Sequence, residues 1–175
     1  CHVLSLRPVG FPEPHWPEGV DGRTVAVSPI DATVGLLTHP GLPWQVALHA
    51  VPRFRRAVRE TVRTVSPDVA VVVLSRLGWA LPALGDVPVM LDLIDALALN
   101  MRNRARRQRA LAPPLGLEAA RMARWDSRLL ARVTHATVVS ARDRDELLRD
   151  APTLGGKVSV LPFGIAVAPA PAMAG

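Results

Sequence analysis

Tyrosine is absent from this 175-residue chain, and cysteine and lysine occur once each, as Cys1 and Lys157. A single thiol excludes an intrachain disulfide and makes a reducing compartment the default. With aromatic residues at 4 %, the core has to be aliphatic, built from Val, Leu and Ala. Phosphate loops of the GxGxxG or GxxxxGK type are missing, as are CxxC pairs and an HExxH helix. His2, His15, His39, His49 and His135 stand without ligand spacing, so no metal site is expected. No G-x-S-x-G elbow supports a Ser-His-Asp triad. The most apolar region, Val69–Ile94, is broken by Arg76, Pro82, Asp86, Pro88 and Asp92, which makes it core and not a membrane span. No signal-peptide pattern is seen, and His2–Leu6 reads at once as a strand, leaving Cys1 no tether for a lipid. The expected location is cytoplasmic.

What is present is apolar and basic. Hydrophobic residues make up 49 % and the formal net charge is +6, carried almost wholly by arginine. An arginine excess fits phosphate or anionic-membrane partners, and it fits a GC-rich coding sequence equally well. The length suggests one domain with a real core, here residues 1–165, with 166–175 a disordered Pro/Ala tail.

Short apolar runs alternate with helical patterns. Strands are expected at Cys1–Leu6, Arg23–Ser28, Val69–Leu74, Val87–Leu91, His135–Val139 and Lys157–Leu161. The clearest buried strand is Val69–Leu74. Pro8–Gly19 crosses the surface, and Pro29–Pro43 is irregular again. A helical pattern starts at Trp44 with a break at Pro52; Phe54, Val58, Val62 and Val65 form its stripe against an arginine-rich face. Further helices are expected from near Ala96, over Leu117–Val133 with Met122, Trp125, Leu129 and Val133 inward, and after Ser140. Pro113-Pro114 punctuates the chain between them. This order predicts an α/β fold, a Rossmann-like parallel sheet flanked by helices.

Within that fold Pro88–Asn100 stands out. An apolar, partly β-branched run ends on Asp92 and Asp95 and turns into a helix. In open α/β sheets ligands bind outside the carboxyl ends of the strands. Arg76 follows the preceding strand at its carboxyl end, and Ser140 with Arg142 follows the next. Each has a plainer reading. Asp95 caps the helix, Asp92 pairs with an arginine, Arg76 neutralises one of those acids, and Ser140 is an N-cap with a weak capping box to Asp143. The dense basic run Met101–Arg109 is in the same way a solvated helix face.

Several segments together resemble the amino-terminal, acceptor-side half of a GT-B glycosyltransferase of family four, as found among bacterial sugar transferases. They are Pro43–Leu48, Pro67-Asp68-Val69 with its strand and Arg76, Leu91–Asn100, the helix Glu118–Val133, Thr137–Arg144 and Val158–Ile165. The departures are specific too: Phe163 and Ala166 stand where the family has Asn and Asp, and Ile94 where many relatives have His. The resemblance implies transfer of a sugar from a nucleotide sugar to a sugar or lipid-linked acceptor, with retention and without a cofactor or obligatory metal. It implies Asp95 as the group that orients or deprotonates the acceptor hydroxyl. Asp92 and Asn100 would hold sugar hydroxyls, and Arg76, Ser140 and Arg142 would face phosphate. If the acceptor is membrane-borne, Arg102–Arg109 would meet an anionic membrane surface at the inner face. Most donor contacts, with a Glu–seven residues–Glu motif, would fall in a second domain, so this stretch, a piece or a decayed copy truncated at both ends, is expected to be inactive alone.

Two other classes stand beside this one. A non-catalytic Rossmann-like binding or structural module would keep the fold without the chemistry. A nucleic-acid-binding protein is suggested by the basic balance, but the chain has neither aromatic interleaving nor a recognition motif, so no nucleic-acid partner is expected.

Overall fold

A computed structural model describes residues 1–164. The predicted tail 166–175, with Ile165, lies outside the described residues. The architecture is α/β and Rossmann-like, with every strand pairing parallel, but the strands form two sheets. The first joins β1 (His2–Pro8) to β2 (Asp21–Val27); the second has the order β3 (Ala70–Val73), β4 (Val89–Ile94), β5 (His135–Val138), β6 (Val158–Val160). A parallel pair needs a crossover of a dozen or so residues. Between β1 and β2 it is the Pro- and Gly-rich loop that sequence places there.

The segment expected to be irregular after β2 contains a helix, α1 (Pro29–Thr38). Its start is fixed by a capping box: Ser28 Oγ accepts from the Asp31 amide at 3.2 Å, and Asp31 accepts from the Ser28 amide at 2.8 Å. Pro29 follows the cap at a position where no N–H is missed. The short α2 (Trp44–Ala47) and α3 (Pro52–Val65) flank the predicted break, Pro52 opening the second of them.

Helix α3 joins the two sheets. Phe54 and Ala57 are buried, and Val58 packs into both apolar clusters, one with Leu4, Leu6, Val25 and Val27, the other with Leu91, Leu129 and Leu130. Leu91, Leu93, Met122 and Leu130 are at most 1 % exposed; burying such a side chain contributes about 1.5–3 kcal/mol. A 3₁₀ segment, Ser75–Ala83, links β3 to β4, and α4 (Leu97–Arg107) follows β4. Then comes α5 (Ala112–Arg132), longer than expected, because Pro113 and Pro114 lie in its first turn, where they need no donor. α6 (Ala141–Leu148) and a 3₁₀ turn, Pro152–Lys157, complete the chain up to β6.

One expectation is reversed. β3 is not the most buried strand but one of the two outer strands of its sheet, and Val71 is 58 % exposed. Ala70 and Val72 face the core while Val69, Val71 and Val73 face outward. An unbroken run of valines does not show which face is covered. β4 likewise alternates buried and half-buried residues, so only one of its faces is deep.

Candidate functional site

Because β3, β4 and β5 are parallel neighbours, their carboxyl ends share one rim. The chain leaves that rim at Leu74–Arg76, Asp92–Ala96 and Val139–Ser140. Two of these exits are strained. Leu74 has φ +68° and Ile94 φ +61°, conformations that cost a branched or bulky residue of order 1–3 kcal/mol. At Ile94 the strain makes a tight turn, with the Asp95 amide donating to the Leu93 carbonyl at 2.6 Å. The β4–β5 register shifts at the same place, between Asp92 and Ile94. The acids therefore sit where the backbone is bent most sharply.

Asp92 is held within the sheet. Its Oδ1 accepts from the Ile94 amide at 3.2 Å and from the Thr137 hydroxyl of β5 at 3.0 Å. Asp95 does not cap α4: the cap position is Ala96, which supplies no side-chain bond. Asp95 Oδ2 instead accepts from Asn100 Nδ2 at 2.5 Å. Ser140 is the N-cap of α6, as its plainer reading has it, accepting from the Asp143 amide at 3.1 Å. Asp143 does not close the expected capping box, since it accepts from the Ser140 hydroxyl and not from the Ser140 amide; it also accepts from the Ala96 amide at 3.1 Å. Asp92, Asp95, Asn100 and Ser140 are thereby brought together around the ends of β4 and β5.

The two arginines are not part of that group. Among the described residues Arg76 makes no ion pair with Asp92 or Asp95. Its Nε is buried without a partner. Its charge reaches His49, whose imidazole is pushed below its ordinary range, by burial first and by Arg76 as well. The Nδ1–H of His49 donates to the Gln45 carbonyl at 2.8 Å, which opposes that shift. Arg142 lies in the first turn of α6, and its side chain lines a groove between α4 and α6 rather than the rim.

Two buried carboxylates on α5 complete the picture. Glu118 is 1 % exposed and takes the Gln45 amide at 3.0 Å, satisfying the start of α2, while its Oε2 has no partner. Asp126 is 2 % exposed, and neither of its oxygens receives a hydrogen bond of ordinary geometry. Burial pushes its carboxyl up to about 7, the nearby Ser75 hydroxyl eases the shift, and the charge of Asp95 adds to it. Asp126 thus brings to the rim an acid that holds or releases a proton near neutrality. Sequence reading passed over both residues. The signal was there, since Glu118 and Asp126 fall at helical spacing with Met122, Leu129 and Val133, on the stripe expected to be apolar.

Among the described residues no group of three or more His, Cys, Asp or Glu side chains could hold a metal ion, and no helix is long and apolar enough to cross a membrane. Fold and rim together define a Rossmann-like α/β domain with acids gathered at the carboxyl end of its sheet. No family model, curated protein or solved structure matches the chain.

Proposed function

We propose that this chain is the acceptor-side domain of a nucleotide-sugar-dependent glycosyltransferase that retains configuration. The observation carrying the reading is the strained exit from β4, where Ile94 at φ +61° turns Asp95 out of the sheet beside Asn100 and close enough for its charge to reach the buried Asp126. Strain of this order is kept where a group has to be aimed.

In this reading Asp95 accepts the proton of the attacking acceptor hydroxyl, and Asn100 fixes the carboxylate that does so. The donor is a nucleotide sugar and the acceptor a sugar or a lipid-linked sugar; a membrane-borne acceptor would set the domain against the anionic inner face. Asp92, occupied by Ile94 and Thr137, serves to shape the turn and has less room for a sugar hydroxyl than the sequence suggested. That internal occupation favours the second reading, a binding or structural module without chemistry.

The test is sugar transfer by the intact gene product across a panel of nucleotide sugars, wild type against Asp95→Asn. Loss of a positioned base costs about 10²–10⁴-fold in rate. The reading expects a fall in that range with an unchanged circular dichroism spectrum. Wild-type turnover in the variant removes Asp95 from the mechanism, and release of no nucleotide from any donor leaves the module reading.

A further inference from the structure

The groove between α4 and α6 is a separate feature. It begins one turn from the rim and runs outward along both helices, with a volume of about 370 Å³. Arg102 and Arg106 line it from α4; Arg142, Asp145, Glu146 and Arg149 line it from α6. Four guanidinium groups thus face two carboxylates.

The carboxylates are not equivalent. Glu146 has a side chain only 3 % exposed and is ion-paired to Arg102 on one side and to Arg149, at 2.6 Å, on the other. One buried charge therefore fixes two guanidinium groups in place. Arg106 and Arg142 are exposed and make no ion pair among the described residues, nor does Asp145. The groove carries an excess of two positive charges with their donors unused. Crowding is evident at Arg102, whose guanidinium is pushed below its ordinary range by burial and by the neighbouring Arg149 and Arg106, against the opposing pull of Asp150. Planar guanidinium forks held this close without enough counter-charge suit a multivalent oxyanion such as a phosphate.

We propose that the α4–α6 groove binds a phosphorylated group of at least two negative charges. Arg106 and Arg142 bind its oxygens, and Arg102 and Arg149 are held ready by Glu146. The proposal stands on the groove alone and does not require sugar transfer at the rim. The shared chemistry is a diphosphate-like anion, whose source is either a soluble phosphate compound or the headgroups of a lipid surface.

Inorganic pyrophosphate is the first probe, titrated calorimetrically into the wild type and into the double variant R106A/R142A. Both positions are exposed, so the variant keeps the folded circular dichroism spectrum. The double variant loses the charge-assisted hydrogen bonds of two guanidinium groups and is expected to bind at least about tenfold more weakly. The milder R106K/R142K keeps the charge, loses the forks and falls between. The second probe is sedimentation with phosphatidylcholine vesicles, with and without 30 % phosphatidylglycerol (about a third of the surface charged, enough for a polybasic patch). Pyrophosphate binding with no vesicle binding assigns the groove to a soluble phosphate compound. Binding to the anionic but not the neutral vesicles, released by pyrophosphate and lost in R106A/R142A, assigns it to headgroups. Binding to neither probe, or binding to both that the double variant leaves unchanged, overturns the proposal.

Discussion

Asp143 accepts a hydrogen bond from the backbone amide of Ala96, forty-seven residues earlier in the chain, at 3.1 Å. The same carboxylate accepts from the Ser140 hydroxyl at the start of α6. One side chain therefore ties the exit of β4 to the exit of β5 and keeps Asp95 beside the start of α6. Replacing it by alanine leaves the Ala96 amide without its acceptor, while the amide of residue 143 still donates to Ser140. Asp143→Ala is expected to cost about 1–2 kcal/mol, within the range for leaving a donor without its acceptor, and to lower the melting temperature by about 2–8 °C for a domain of this size. Asp143→Asn keeps an acceptor oxygen and should recover part of the loss. Thermal unfolding followed by circular dichroism measures both, and a melting temperature unchanged in Asp143→Ala would show that the tie carries no stability.

Asp126 gives the protein a pH-dependent stability of known sign. Its folded-state carboxyl, pushed up to about 7 from an ordinary 3.8, binds its proton more tightly than the unfolded chain does. Its contribution is therefore fully present below pH 3.8, falls as the pH rises between those values, and is gone above about 7. Asp126→Asn carries no charge at any pH, so it should match the wild type near pH 4 and exceed it at pH 8. Each tenfold difference in proton affinity between the folded and unfolded chain is worth about 1.4 kcal/mol, so the gain reaches on the order of 4 kcal/mol. Urea unfolding at the two pH values reads it directly. A variant displaced equally at both would mean that Asp126 does not titrate differently on folding.

Gly35 permits the close approach of α1 to α2. A Cβ at that position would lie 2.1 Å from the carbonyl oxygen of Ala47, a backbone atom that cannot turn aside. Gly35→Ala is expected to destabilise by about 1–3 kcal/mol, the ordinary cost of overpacking, despite the better helix propensity of alanine. A rise in the urea midpoint would show that the two helices are not packed this tightly.

The exposed valines of β3 are a liability of a different kind. Val71 lies on an outer strand of its sheet and is 58 % exposed, and open apolar edges template association. Val71→Lys should change stability by no more than about 0.5 kcal/mol and should lower light scattering at high protein concentration. Scattering that stays the same would acquit this strand.

Much of the framework was legible in the residues. Six apolar runs separated by helical periods give six strands in the expected order, and Pro52 and Ser140 lie at helix starts as expected. The helix α1 was missed because its capping box, Ser28 with Asp31, lies before a stretch whose Pro and Gly residues suggest a loop. The buried acids on α5 were missed because a stripe counted for its apolar members conceals the polar residues that share it.

Local sequence determined the order of the strands and most of the helices between them, because capping, proline placement and hydrophobic spacing act over a few residues. It also put Arg76, Asp92, Asp95 and Ser140 at strand ends. Only the tertiary structure decided which of them meet. Parallel pairing in the order β3-β4-β5 set Asp92 against Thr137, and the packing of helices around it brought Arg76 near His49 and folded Arg142 into a groove with Arg102 and Arg106. The reason is physical: side chains that share a face across forty residues are brought together by strand register and helix packing, and neither is encoded in the spacing of any one segment.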